Sequence, residues 1–226
     1  MKIILPLSFL ALFAFASASA SSVTYNVFLD TTSLAGNSAA PFSLEFGLAD
    51  GSGTGDGNNA VVLSNFHFGT GSASGSALLG GGASGDLSTS VVLTDTDAIS
   101  NYFVQGFSPG NSLSFQLQLS TNLESGGLPD TFFFAILDNT FSPLPTLAGA
   151  PLDALALINI DNPLSIQTFG GDVSRSPVAG GDPISRFSAP AISVSEVPEP
   201  STFPVLGLAI LASICVSRRY HSFRSN

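Results

Sequence analysis

The stretch LSFQLQLS, residues 113 to 120, sets the strongest constraint on the fold. Leu113, Phe115, Leu117 and Leu119 fall on one side of an extended chain, and Ser114, Gln116 and Gln118 on the other. That is the period of two that a half-buried strand needs, because successive side chains of a strand point to opposite faces. Wound at 3.6 residues per turn, the same apolar residues would scatter around a helix and leave no continuous buried stripe. The rhythm recurs in VTYNVFLD, where Val23, Tyr25, Val27 and Leu29 share a face, and in FSLEFGLA, where Phe42, Leu44, Phe46 and Leu48 do. Further strands are expected at Ala60 to Phe68, Leu87 to Leu93, Tyr102 to Phe107, Thr131 to Leu137, Leu155 to Ile160, Leu164 to Phe169 and Phe187 to Val194. Gly, Asn, Asp, Ser and Pro punctuate them, and TFFFAILD, apolar on both faces, is expected to be a central strand. With no helical period of useful length in the body, the pattern predicts an all-β domain, an antiparallel β-sandwich or jelly roll.

Two Gly/Ser-rich stretches interrupt this pattern, GLADGSGTGDGNNA and GTGSASGSALLGGGASGD, and both are expected to be flexible hairpin loops. Neither cradles phosphate, because a P-loop needs a lysine and residues 21–200 contain none. About 180 residues remain between the two ends of the chain. A domain near that size buries roughly 70% of its unfolded surface, so burial alone can stabilise it.

The first residues, MKIILPLSFLALFAFASASA, combine Lys2, an apolar run from Ile3 to Phe15 and a small-residue site at Ala18-Ser19-Ala20. This is the pattern of a secretory signal peptide cut after Ala20, and its apolar run falls short of the ~20 residues of a spanning helix. Between Ser21 and Pro200, two arginines face sixteen acids, a net charge of −14. Such a body repels phosphate backbones, which argues against nucleic acid as a partner. Cys215 is the single cysteine and lies in the C-terminal apolar run, so the exported body has neither an internal disulfide nor a Cys-ligated metal.

The C-terminus has three parts: Val197-Pro198-Glu199-Pro200-Ser201-Thr202, an uncharged run from Phe203 to Val216, and a tail carrying Arg218, Arg219 and Arg224. A helix over that run reaches about 21 Å at ~1.5 Å per residue, so it crosses a ~30 Å hydrocarbon core only with snorkelling arginines. The positive residues stay on the cytoplasmic side, which leaves the body outside. Box, helix and basic tail together resemble the PEP-CTERM sorting signal of Gram-negative bacteria. The resemblance implies an exosortase-type processing enzyme, a transient hold in the inner membrane, and delivery to the cell surface or the extracellular matrix. Its recognition residues would be Val197, Pro198, Glu199, Pro200 and Ser201, with Arg218 and Arg219 as the basic stop. The prolines keep the box out of any helix and open to an active site. Over residues 23 to 170, VTYNVFLDTTSLAGNSAAPFSLEFGL, NYFVQGFSPGNSLSFQLQLS and FFFAILD are similar to a group of secreted PEP-CTERM proteins that have no established activity. The expected organisation is a signal peptide at 1–20, a β-rich exported domain at 21–195 and a sorting signal at 196–226, with its box at 197–202, its helix at 203–217 and its basic tail at 218–226.

Candidate sites in the body are sparse. Asp50 and Asp56 flank a Gly-rich turn with Asn58 and Asn59 nearby; oxygen ligands on such a loop suit Ca²⁺, although the spacing is not that of an EF-hand. Asp95 and Asp97 are expected as solvated turn residues. Gly170-Gly171-Asp172 and Gly180-Gly181-Asp182, each followed by Ser and Arg, suggest two similar turns with Asp–Arg pairing. His67, the one histidine of the body, alternates with Phe66 and Phe68 and so takes the polar side of its strand. No Gly-x-Ser-x-Gly elbow accompanies it. Glu45 and Glu124 are carboxylates without an evident partner for glycoside hydrolysis. The leading expectation is a non-enzymatic surface or matrix protein with a structural or adhesive role and no cofactor. A carbohydrate-binding module acting on exopolysaccharide through Tyr25, Tyr102 or an exposed Phe is the alternative, and a secreted hydrolase is a third reading.

Overall fold

A computed structural model describes residues 22–120, 122, 128–147, 150–160, 165–172, 174–175 and 187–196. The expected signal peptide, PEP box, C-terminal helix and basic tail, together with Glu124 and the expected turn at Gly180-Gly181-Asp182, lie outside the described residues. Among the described residues no helix is long and apolar enough to cross a membrane.

The described residues are all-β, two six-stranded antiparallel sheets. The strands are β1 (Ser22–Asp30), β2 (Phe42–Ala49), β3 (Ala60–His67), β4 (Ser72–Gly80), β5 (Gly82–Gly85), β6 (Ser90–Thr94), β7 (Asn101–Ser108), β8 (Ser112–Ser120), β9 (Thr131–Leu137), β10 (Ala156–Asn159), β11 (Ile166–Thr168) and β12 (Ala191–Glu196). One sheet, sheet A, has the order β12-β1-β8-β3-β6-β5; the other, sheet B, β11-β10-β9-β2-β7-β4. Every connection crosses between sheets except β5–β6, β9–β10 and β10–β11. β1, β2, β3, β6, β7, β8, β9 and β10 each turn an apolar row into one core between the sheets.

The inward rows are those read from the sequence. Val23, Tyr25, Val27 and Leu29 of β1 and Leu113, Phe115, Leu117 and Leu119 of β8 are all buried. Phe46, in the interior of sheet B, stacks on Phe134 at 5.3 Å between centroids and meets the edge of Phe115, from sheet A, at 5.4 Å. Phe115 also meets Phe134 edge-on at 5.6 Å. These rings knit the sheets together, and tilted or edge-on aromatic pairs contribute beyond their burial. β9 lies inside sheet B between β10 and β2, as its two apolar faces require.

The second Gly/Ser-rich stretch is a correction. Instead of a flexible loop, residues 72–80 and 82–85 are strands β4 and β5. β4 pairs with β7 along its length, with a register shift between Ser74 and Leu78 and Gly75 at φ 67°. That bulge needs glycine, because other residues are strained there. The Tyr102 ring lies directly over Gly80, where a side chain would collide with it, and so covers the bare backbone of the edge strand. The first Gly-rich stretch is a loop over residues 50–59 between β2 and β3.

Candidate functional site

At one end of the sandwich, Asn59 precedes β3, Asp95 follows β6 and Asp130 precedes β9, and all three are buried. The Asn59 backbone N–H donates to both oxygens of Asp95 at 3.1 and 3.2 Å, and its Nδ2 donates to Asp130 Oδ2 at 2.9 Å. Asn59 Oδ1 accepts from Ser120 Oγ and from the Asn122 N–H, both at 3.0 Å. The Gly51 N–H supplies the other Asp130 oxygen at 2.8 Å. One amide thus clasps sheet A to sheet B. Burial first, and then the Asp130 carboxyl beside it, push the Asp95 carboxyl up to about 7, although the Asn59 N–H pulls the other way. Asp95 is therefore not the solvated turn residue expected from its spacing with Asp97. Asp97 does take that role, accepting from the N–H groups of Ile99 and Ser100. The clasp escapes sequence reading because its members lie at 59, 95 and 130, and only the sheet crossovers bring them together.

The calcium candidates are engaged locally. The Asp50 carboxylate accepts the N–H groups of Ser52, Gly53, Thr54 and Gly55, which together hold it below the usual carboxylate range against its own burial. Asp56 accepts from the N–H and side-chain amide of Asn58. Among the described residues, no group of three or more His, Cys, Asp and Glu gathers as metal ligands. Arg175 bridges Asp153 at 2.6 Å and Asp172 at 3.3 Å, so the expected Asp–Arg pairing is present at the first of the two turns.

The outer face of sheet A offers a shallow cleft of about 430 Å³ across β12, β1, β8 and β3. Phe28 stands in it 51% exposed, on the outward row of β1 with Asn26. In β3 the register shifts between Ser64 and His67, with Asn65 at φ 56°, so one extra residue is inserted opposite β8. The bulge re-aims Asn65 along the cleft, where its Nδ2 donates to Gln116 Oε1 at 2.6 Å. Gln116 Nε2 in turn donates to Asn26 Oδ1 at 3.3 Å. His67, exposed and opposite Ser114, lines the same cleft. Phe28 is one of the exposed Phe that the alternative reading called for, whereas Tyr25 is fully buried and Tyr102 lies over Gly80. Alternation already told against Tyr25, which shares its row with Val23 and Val27.

Glu45 occupies the other outer face, half-buried beside Tyr102 and Phe133, and burial holds its carboxyl above the usual range. No family model matches the chain, and neither a curated protein nor a solved structure matches it.

Proposed function

We propose that this chain is an exported, non-enzymatic protein of the cell surface or extracellular matrix with a structural or adhesive role. In this reading residues 1–20 direct export and are cut after Ala20. The 203–217 helix then holds the protein in the inner membrane until an exosortase-type enzyme acts at Val197 to Ser201. The observation that carries the reading is the pairing of β1 with β12. Thr24 stands opposite Glu196, so the segments leading to both apolar ends of the chain depart from neighbouring positions. Both ends can then reach one membrane surface while the opposite end of the sandwich points away. The six residues 197–202 extend at most about 20 Å at ~3.3–3.6 Å each, and Pro198 and Pro200 lack the donors needed to prolong the β12 ladder. In this reading the box lies between the folded edge and the membrane, within reach of a membrane-bound protease. In this reading the carboxylates of the body serve the fold, Asp95 and Asp130 in the clasp and Asp50 in its own turn.

The intact mass of the protein recovered from its host's envelope and medium tests this. A chain beginning at Ser21 and ending between 197 and 201 supports it, with any excess mass reporting an attached group. A mass that retains 203–226 refutes the processing. Deleting 197–226 should also change where the protein accumulates. The second reading, that the domain holds exopolysaccharide, is favoured by one observation, the exposed Phe28 ring beside the amides of the sheet A cleft.

A further inference from the structure

We propose that the outer face of sheet A binds a neutral polysaccharide laid across β12, β1, β8 and β3, with Phe28 under a sugar ring and the amides of Asn26, Gln116 and Asn65 on its hydroxyls. The proposal rests on the exopolysaccharide-binding reading and assigns its ligand class and its site.

Charge selects the ligand class. The body between Ser21 and Pro200 carries two arginines against sixteen acids, and that field repels a polyanion at range. The cleft itself contains no acid, lysine or arginine, and His67 is its single titratable side chain. Asp30, the next residue of the outward β1 row beyond Phe28, lies outside the cleft and accepts the Thr32 N–H at 2.9 Å, so within the cleft a polycation finds no carboxylate to pair with and a polyanion finds no arginine fork. What remains complementary is an uncharged ligand rich in hydroxyls. Each hydroxyl both donates and accepts, and so does each side-chain amide.

The amides are also placed to act as a set. Asn65 donates to Gln116 and Gln116 to Asn26, so three strands hold one continuous ladder in a fixed orientation. At its ends, the Asn26 Nδ2 donors and the Asn65 Oδ1 acceptor have no partner among the described residues, and both side chains are exposed. Asn65 holds φ 56° at the bulge, a left-handed conformation that Asn adopts readily, and lines the cleft. Phe28 lies two residues along β1 from Asn26, about 6–7 Å, so an aromatic row and an amide row run side by side. Beside Phe28, the same row continues through Ser114 to His67 in the ladder register. Four strands at ~4.8 Å spacing give a surface about 14 Å across on which the ligand can lie.

The test is native-gel affinity electrophoresis of the full chain in mild detergent, in gels containing hydroxyethylcellulose, dextran or galactomannan, with alginate as the acidic comparator. At least one neutral polymer should retard the protein and alginate should not. Phe28→Ala and the double variant Asn26→Ala/Asn65→Ala should each weaken retardation by roughly tenfold, while Phe28→Tyr, which keeps the ring, retains it. Because these side chains are exposed, urea midpoints of Phe28→Ala and Phe28→Tyr should match, which separates lost binding from lost folding. Retardation of the wild type that all variants share overturns this site and leaves the polysaccharide reading standing. Retardation by alginate alone overturns the neutral class. No retardation by any polymer overturns both the site and the reading beneath it.

Discussion

Replacing Asp95 by Asn should flatten the dependence of stability on pH. In the unfolded chain Asp95 ionises near 3.8, whereas in the fold its carboxyl is held up to about 7. At pH 5, then, the folded protein keeps a proton that the unfolded chain has released. Raising the pH removes this advantage, so the contribution is complete below pH 4 and gone above pH 7. A little over three decades of proton affinity, at about 1.4 kcal/mol per decade, sets an upper value of ~4 kcal/mol. Although the clasp is buried, residues 53, 54, 56, 57, 96 and 97 of the loops beside it are exposed, and local relaxation with water penetration there reduces this to ~2 kcal/mol. With m of about 2–3 kcal/mol/M, the wild-type urea midpoint should fall by roughly 0.7–1 M between pH 4 and pH 8. In Asp95→Asn the amide oxygen still accepts the Asn59 N–H and the NH₂ donates toward Asp130, as the protonated acid does. Less than half of the decline should remain. Some should persist, because Glu45 is also raised by burial and adds in the same direction. Equilibrium urea unfolding at half-unit pH steps measures this, and parallel curves for wild type and variant would refute the argument. Below pH 4 both proteins should lose stability together, as Asp50, Asp86, Asp97 and Asp172, all held below the usual carboxylate range, take up protons and release their turn N–H groups.

Phe46→Ala should cost about 3–5 kcal/mol, since it removes the ring that meets Phe66, Phe103, Phe115, Phe132 and Phe134 and leaves a cavity between the sheets. A loss below 1 kcal/mol in the same urea assay would mean that the rings are not the joint between the sheets. Gly47→Ala should cost about 1–3 kcal/mol, because the new methyl meets the Phe133 ring and pushes it toward solvent. Pairing it with Phe133→Ala should recover most of that loss, and strict additivity of the two changes would show that they do not touch.

How legible the fold was depends on what each strand has at its back. LSFQLQLS and VTYNVFLD have one buried and one wet face, so alternation alone gives their orientation, and β8 and β1 lie where it puts them. β4 and β5 carry almost no alternation, because serine and glycine neither reward burial nor mark a face. They are held from outside, by the β7 ladder and the Tyr102 ring over Gly80 and by the β6 ladder, and none of this is written in their own residues. The same holds for the polar clasp. Asn59, Asp95 and Asp130 look like loop residues one at a time, and burial becomes favourable for each only once the other two satisfy it. His67 was placed on the polar face by its neighbours, but the bulge that brings Asn65 into the same cleft depends on pairing with β8.

The position of β12 also sets the order in which the molecule can be completed. β1 emerges first, yet its ladder partners are β8, some ninety residues later, and β12, the last strand of the described chain. Contacts so distant in sequence close slowly, because the intervening chain must be ordered before they form. A chain threaded outward from its N-terminus would therefore hold β1 with a bare edge until residue 196 had crossed. On the proposed route, the final strand docks just as the apolar run at 203 enters the bilayer, so closure of sheet A and arrival of the processing box at the membrane become one event in time.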